Sequence, residues 1–225
     1  MRHINIAIDG PAGAGKSTVA RLVAKALGIL YVDTGAMYRG VAWLAVRNQV
    51  PPDDERALLE MLRRHDLRFE RDASGELAVV ADGEDITSQL RDPKVSETVS
   101  KLSVHPGIRA WLTRWQQAFA KQGAVVMDGR DVGTVVMPDA AVKVFLTASI
   151  EERARRRQKE FTDKGFDVTL QDMREAIAER DARDSTRAIA PLKPAEDAHL
   201  IDSTGRSVDE VVEEILRLVE RVPHE

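Results

Sequence analysis

The sequence predicts an α/β fold in which helices cover both faces of a parallel sheet, and two observations support this. Short apolar runs alternate with helical patterns along the chain, which is the βαβ order of a doubly wound sheet. The first apolar run leads through a glycine-rich loop into a helix, the setting in which a phosphate-binding loop works. Ligands of such sheets bind at the carboxyl ends of the strands.

Five apolar runs are expected to be strands. The first, "INIAI" at 4–8, precedes the loop, and the helix "KSTVARLVAKALG" that follows it should stop at Gly28. Three of the later runs end in an aspartate, which places carboxylates at the ligand-binding edge of the sheet. These later strands are expected at 29–33, 124–128, 142–146 and 199–202.

Two segments interrupt the alternation. Residues 66 to about 96 contain short β-like pieces separated by Ser-Gly and Asp-Gly turns, which predicts a small inserted antiparallel meander. Residues 151–190 are dense in both charge signs, as in a pair of solvated helices with i, i+4 ion pairs.

Composition limits the function classes. The 225 residues suffice for one substantial α/β core with an insertion, or for two small domains. The absence of cysteine excludes disulfides and thiolate metal sites, and it suits a cytoplasmic protein. A net charge of −4 argues against nucleic acid as a partner. No apolar run approaches the roughly 20 residues of a membrane span, so no membrane partner is expected either.

The loop "GPAGAGKST" at 10–18 matches the phosphate-loop pattern G-x-x-x-x-G-K-[ST]. Lys16 would reach the β- and γ-phosphates of a nucleotide, and the Ser17 hydroxyl would complete the shell of a Mg²⁺ ion bridging them. A glycine-rich turn without a ligand is the alternative, but the strand-loop-helix setting favours the phosphate loop. The expected ATP-binding residues are Gly10, Pro11, Ala12, Gly13, Ala14, Gly15, Lys16, Ser17 and Thr18.

Two strand ends carry candidate anion-binding groups. In "VDTGAMYRG" at 32–40, Asp33 ends a strand, a small flexible turn is expected next, and Arg39 then lies on the first turns of a helix. In "VVMDGRDVGTVV" a glycine turn projects Arg130 and Asp131 over the same edge, where donors and acceptors together suit a polar base or a phosphate. Alternatively, Arg39 is a surface charge, and Arg130 and Asp131 simply pair with each other.

A third candidate lies in the charged helices. The spacing of Arg180, Asp184 and Arg187 predicts one face of a helix, with an acid between two arginines that could bind a common anion. The run "RARRR" on the preceding helix adds arginines at 153 and 155–157, as expected of a lid that closes over transferring phosphates. Only two or three of these side chains can share one helical face.

Read in order, the motifs "GPAGAGKST", "VDTGAMYR", "DGRDVGTVV" and "RDARDSTRAIAPL" make the chain similar to the bacterial-type cytidylate kinases, a family of nucleoside monophosphate kinases. The resemblance runs from Ile4 to the final helix. It implies the P-loop kinase fold: a parallel sheet flanked by helices, an inserted small antiparallel sheet and a helical lid. The implied divisions are a core (about 1–38, 98–150 and 188–225), a monophosphate-binding insertion (about 39–97) and a lid (about 151–187).

The resemblance also implies the reaction, ATP-dependent phosphorylation of CMP and dCMP with Mg²⁺ as cofactor. Thr34 stands where serine is common in the family, and it keeps the hydroxyl. The catalytic residues implied are Lys16, Arg130, Arg157 and Arg187. Those implied to bind CMP are Thr34, Arg39, Arg109, Arg130, Asp131, Arg180, Asp184 and Arg187.

Two other functions are alternatives to this one. A kinase of similar fold acting on a hydroxyl acceptor such as shikimate would need a base, for which Asp33 or Asp131 could serve, but it would not need so many arginines. A nucleotide-dependent switch is disfavoured because the sequence lacks the N-K-x-D guanine signature. We expect a monomer that acts on ATP and CMP in the cytoplasm.

Overall fold

The structure, a computed structural model, describes residues 4–72, 76–163 and 165–223. Within these residues, no helix is long and apolar enough to cross a membrane. The strands are β1 (Asn5–Asp9), β2 (Leu30–Asp33), β3 (Leu67–Arg71), β4 (Leu77–Ala81), β5 (Glu84–Asp85), β6 (Val125–Gly129), β7 (Val142–Thr147) and β8 (His199–Asp202). The helices are α1 (Lys16–Leu27), α2 (Thr34–Arg47), α3 (Glu55–Arg64), α4 (Pro93–Leu102), α5 (Pro106–Gln122), α6 (Ile150–Asp163), α7 (Leu170–Thr186) and α8 (Val208–Glu220).

The larger sheet is parallel and has the strand order β2-β6-β1-β7-β8. In register, Ile6 of β1 lies between Val126 of β6 and Val142 of β7. Consecutive residues of β1, Ile6 to Ile8, are fully buried, which requires cover on both faces because neighbouring side chains point to opposite sides. The five predicted strands and the parallel α/β fold are confirmed.

The chain divides into two compact units, and the first contains the chain up to Ile29 and from Ala124 onward. In this unit α1 packs against β6 and α8. Gly28, with a φ of 66°, ends α1 as predicted, because glycine adopts the left-handed conformation that closes the helix at the least cost.

Helices α6 and α7 also belong to the first unit and pack against each other. A capping box between Thr169 and Asp172 starts α7. Glutamate–arginine pairs four residues apart lie on both helices, Glu152–Arg156 on α6 and Glu179–Arg183 on α7, so the expected ion-paired helices are confirmed. The lid boundaries assigned to this segment stay a prediction.

The second unit, Leu30–Gly123, contains the small antiparallel sheet β3-β4-β5. Phe69 of β3 lies opposite Val79 of β4. The Phe69 ring also makes edge-to-face contacts with Trp111 and Trp115 of α5, at centroid distances of 6.0 and 5.5 Å, and these contacts anchor the sheet. The predicted inserted sheet is therefore confirmed.

Its predicted extent, 66 to about 96, is too long. The strands end at Asp85, and a short 3₁₀ helix over Thr87–Arg91 leads into α4. The Asp92 carboxylate accepts a hydrogen bond from the Lys94 N–H, and Pro93 is the first helical residue, a helix start rather than a turn of the meander. The Ser-Gly turn at 74–75 lies outside the described residues.

Candidate active site

The phosphate loop joins β1 to α1, and its backbone path depends on glycine at three positions with a positive φ, Gly10, Gly13 and Gly15. Gly10 has a φ of 151°, and a Cβ there would lie 1.9 Å from the carbonyl oxygen of Leu146. Gly15, with a φ of 89°, precedes α1 in the left-handed region. No side chain caps α1 at Gly15, which leaves the first N–H groups of the helix to an anion.

Lys16 is the buried cation of this loop, with 6% of its surface exposed. Its Nζ donates a hydrogen bond to the carbonyl oxygen of Pro11 over 2.7 Å. Burial, and then the positive charge of Arg130, lower the pKa of Lys16 to about 7. Phosphate oxygens bound at the loop would favour the charged amine, because an opposite charge nearby raises the pKa of a lysine.

Ser17 and Asp128 form a pair that fits a magnesium ion. The Ser17 hydroxyl donates to the Asp128 Oδ2 over 2.9 Å, and Asp128 is 4% exposed near the carboxyl end of β6. Hydroxyl and carboxylate oxygens are ligands that Mg²⁺ accepts, and the ion commonly takes its remaining ligands from substrate phosphates and water. In the described part of the chain, no group of three or more acidic, histidine or cysteine side chains is placed to bind a metal.

Five predicted acceptor residues come together in the first unit. The Arg130 Nε donates to Asp184 Oδ2 over 2.9 Å, and the Arg187 Nη2 lies 3.4 Å from Asp131 Oδ1. The Arg180 Nε is 4.0 Å from Asp184 Oδ2. Arg130 and Asp131 thus have partners more than fifty residues away along the chain. The alternative, in which the two residues simply pair with each other, did not include these partners.

Asp184 is the acid at the centre of this cluster. Burial by itself would raise its pKa, but the charges of Arg130, Arg180 and Arg187 outweigh burial and hold the pKa below its usual range. The carboxylate is therefore ionised at neutral pH. With Asp131, two carboxylates face three guanidinium groups, and the surplus positive charge suits a phosphate.

Arg187 does not lie on a helical face with Arg180 and Asp184, so the i, i+7 part of that prediction is wrong. Helix α7 ends at Thr186, and Arg187 has an extended backbone, with φ −61° and ψ 141°. Its Nε donates to the carbonyl oxygen of Ala190 over 2.6 Å, where Ala190 has a φ of 49°. The chain thus turns away from the helix axis, and this turn directs the guanidinium towards Asp131.

Three predicted CMP-binding residues lie in the second unit. Thr34 begins α2 and is 5% exposed, and Asp33 caps the helix by accepting the Ala36 N–H over 2.9 Å, so the flexible turn expected there is wrong. Arg39 forms an ion pair with Asp33 at 2.7 Å, while its buried Nε has no hydrogen-bond partner among the described residues. Arg109 lies over the Tyr38 ring and is 5% exposed.

The lid arginines divide by helical face, as expected from their spacing. Arg153 is buried and donates to the carbonyl oxygens of Ala148 and Ala12, while Arg156 donates to that of Ala14. Both therefore contact the phosphate loop. Arg155 pairs with Glu152 and is largely exposed, whereas Arg157 pairs with Glu160 and lies over Phe161. That Arg157 reaches the donor nucleotide stays a prediction.

Sequence reasoning missed three residues of this site. Asp128 carried a usable signal, because it follows a buried strand and the carboxyl ends of neighbouring parallel strands meet at one edge. Arg153 and Arg156 were seen only as members of a charged run. Their i, i+3 spacing indicates a shared face, but only tertiary structure shows that this face meets the phosphate loop.

Solved structures similar to this chain show its fold, and sequence relatives show its family. A crystal structure of an uncharacterized protein from Eubacterium ventriosum ATCC 27560 superposes with a TM-score of 0.54 and 13% identity, covering 97% of this chain and 99% of that chain. At that identity the likeness shows the fold alone. Sequence relatives share a much higher identity with this chain, and a family model also matches it.

A protein from Pelotomaculum thermopropionicum named "Cytidylate kinase" is 52% identical over 215 residues, which are 96% of this chain and 95% of the relative. One of the same name from Geobacillus sp. (strain WCH70) is 49% identical over 217 residues, 96% of each chain. The model described as cytidylate kinase matches residues 6–221. The chain therefore belongs to the cytidylate kinase family.

Proposed function

We propose that this protein transfers the γ-phosphoryl group of ATP to the 5′-phosphate of CMP or dCMP, giving the diphosphate. The observation that carries the proposal is the cluster of Arg130, Asp131, Arg180, Asp184 and Arg187 in the same unit as the phosphate loop. Such a cluster suits a phosphoryl acceptor that is itself a phosphate, because guanidinium groups bind phosphate oxygens and neutralise their charge. Two relatives that are about half identical over nearly the whole chain are both named "Cytidylate kinase".

On the donor side, the loop backbone and Lys16 bind the triphosphate. Lys16 lies buried beside the loop, so its ammonium charge acts in a site of low dielectric where it is strong. Ser17 and Asp128 would hold a Mg²⁺ ion, which when bound neutralises charge on the β- and γ-phosphates. Thr18 and the N–H groups at the start of α1 complete the binding site.

On the acceptor side, the chain needs no strong general base, because a nucleoside monophosphate already presents an oxyanion at neutral pH. Catalysis is then positioning and charge neutralisation. Arg130 and Arg187, with Arg39, would bind the acceptor phosphate and offset its repulsion from the donor. The Arg39 Nε supports this assignment, since it is a buried donor with no hydrogen-bond partner among the residues that the structure describes.

Recognition of cytosine and sugar is assigned to Thr34, Arg109, Asp131, Arg180 and Asp184. Cytosine presents an amino donor beside acceptor atoms, so an acid next to an arginine matches its edge. The ionised Asp184, fixed among arginines, would accept from the amino group. Arg157 would contact the donor on lid closure, and the division into core, insertion and lid is proposed with the boundaries given above.

A hydroxyl acceptor such as shikimate is not favoured. Asp131 pairs with Arg187, and Asp33 with Arg39 and the Ala36 N–H, so both candidate bases are already engaged by hydrogen-bond donors, and the arginines exceed what a hydroxyl acceptor needs. We also propose that the protein is monomeric and cytoplasmic, in keeping with its absence of cysteine and with its small intracellular substrates. Light scattering of the purified protein tests the monomer.

A coupled assay that measures ADP release tests the function directly. With ATP and Mg²⁺, we expect turnover with CMP and dCMP, slower turnover with UMP, and none above background with AMP or shikimate. Nucleotide consumption should depend strictly on the added monophosphate. Turnover with shikimate but not with CMP would overturn the proposal in favour of a hydroxyl kinase, and ATP consumption without any acceptor would favour a switch.

A further inference from the structure

Asp9 is a buried carboxylate to which the proposed mechanism gives no role. It is the last residue of β1, it immediately precedes Gly10 of the phosphate loop, and it is 4% exposed. Its side chain does not point along the phosphate loop that follows it. It accepts hydrogen bonds instead from a segment more than a hundred residues away along the chain.

Both oxygens of the Asp9 carboxylate accept hydrogen bonds from that one segment. Oδ1 accepts the N–H of Val132 over 2.8 Å, and Oδ2 accepts the N–H of Gly133 over 2.7 Å. These two residues directly follow Arg130 and Asp131, and they begin the short π-helical turn Val132–Val136. The side chain of Asp9 therefore fixes the start of the turn whose preceding residues are the proposed acceptor contacts.

The two hydrogen bonds at this contact suit a charged acceptor. Two N–H donors on two oxygens require the ionised carboxylate, because a protonated carboxyl would turn its own O–H towards one of them. Burial raises the pKa of Asp9 to about 6, against the backbone hydrogen bonds, so the group is ionised at neutral pH.

We propose that Asp9 is a positioning residue for the acceptor: it holds the turn after β6 so that Arg130 and Asp131 meet the monophosphate, without touching either substrate itself. This inference rests on the proposed function, because it takes Arg130 and Asp131 as acceptor contacts. Because Asp9 is covalently continuous with Gly10, one residue joins the strand that carries the donor loop to the turn that carries the acceptor groups.

The test is Asp9→Asn, which keeps the volume but offers one acceptor oxygen and turns an amide N–H₂ towards the second backbone donor. We expect kcat/KM for CMP to fall about 10²-fold, since small misplacements of positioning groups have effects of that size. The KM for ATP should change by less than about threefold. Ser203→Ala is the matched control: Ser203 is equally buried and lies beside Ala14 of the donor loop, and its loss should leave the KM for CMP unchanged.

Hydrogen exchange of the ligand-free protein gives a readout independent of activity. In Asp9→Asn the amides of 132–136 should exchange faster, while those of α1 keep their protection. If Asp9→Asn does not fold, Asp9→Glu replaces it, because the added methylene displaces both acceptor oxygens while it keeps their charge. Equal losses for ATP and CMP, or unchanged exchange at 132–136, would overturn the inference; absence of CMP turnover in the parent protein would instead overturn the proposed function.

Discussion

The phosphate loop and the acceptor cluster of the first unit both present positive charge to phosphate, but they are built in different ways. The loop is nine consecutive residues, Gly10 to Thr18, whose anion site consists of backbone N–H groups and one buried lysine. The acceptor cluster consists of long side chains from two segments, residues 130–131 and 180–187, held by ion pairs. The first is set by local backbone geometry and the second by tertiary contacts between charges.

This difference predicts how each region responds to change. Among substitutions only proline removes a backbone amide, so the anion site of the donor loop should be most sensitive at its glycines and at Lys16. In the acceptor cluster each charge has a partner, and removal of one partner leaves another charge buried without compensation. Mutations there should thus affect acceptor binding and stability together, whereas Lys16 should affect chemistry with little effect on folding.

The largest effect is expected for Lys16→Ala. Because the amine neutralises charge that develops on the transferring group, kcat should fall by about 10²-fold to 10³-fold or more, as for other preorganised donors. Steady-state kinetics with CMP measures this, and circular dichroism should show an unchanged fold. Lys25→Ala, on an exposed position of the same helix, is the control and should turn over as the parent does. Near-normal turnover by Lys16→Ala would contradict the donor assignment.

A smaller but selective effect is expected for Asp184→Asn in the acceptor cluster. Loss of the charge that orients Arg130, Arg180 and Arg187 should raise the KM for CMP by about 10-fold to 10²-fold, the range for a buried charge-assisted contact. The KM for ATP should stay near that of the parent. Glu179→Gln removes a surface ion pair on the same helix and is the matched control. Parallel increases for both substrates would contradict the separation of the two regions.

A third substitution tests whether the donor loop also depends on distant side chains. Arg153 is buried against Ala12 and pairs with Asp181, so Arg153→Met should lower the free energy of unfolding by about 2 kcal/mol, less than for a fully buried pair because Asp181 is partly exposed. Arg155 is mostly exposed, so Arg155→Ala should change the free energy of unfolding by less than about 0.5 kcal/mol. Urea denaturation measures both; equal values would show that the loop needs no support from α6.

The smallest expected effect is the uptake of a proton by Lys16 when the triphosphate binds. Since the pKa of Lys16 is lowered to about 7, the amine is mostly neutral at pH 8, and binding of the triphosphate should take up close to one proton. Calorimetric titration of ATP in buffers of different ionisation enthalpy detects this uptake, and Lys16→Met should abolish it.

The same shift gives the ligand-free protein a pH-dependent stability. Its folded-state pKa lies below the unfolded value of 10.5, so the contribution of Lys16 is present above that value and is lost as the pH falls through about 7. Stability should therefore rise between about pH 7 and 10 in the parent relative to Lys16→Met. Identical slopes for the two proteins in urea denaturation would contradict the buried amine.

Much of the fold followed from local pattern. Strands such as "INIAI" and "AVVMD" are buried on both faces, and such strands read as unbroken apolar runs. The errors occurred where local patterns are ambiguous. Asp33 was expected to precede a turn because Thr-Gly follows it, yet Thr-Gly forms the first turn of α2 once Asp33 caps the helix. Asp92–Pro93 starts a helix for the same reason.

The sequence by itself determined the donor site, because a phosphate loop is a local structure: its glycines, lysine and hydroxyl lie within nine residues, and their spacing specifies their geometry. Only the tertiary structure decided the partners of the acceptor arginines. Arg130 meets Asp184 and Arg187 meets Asp131 because β6 and the end of α7 are brought together by the fold, across more than fifty residues. The role of Arg153, and the contact of Asp9 with the turn after β6, depend on packing for the same reason.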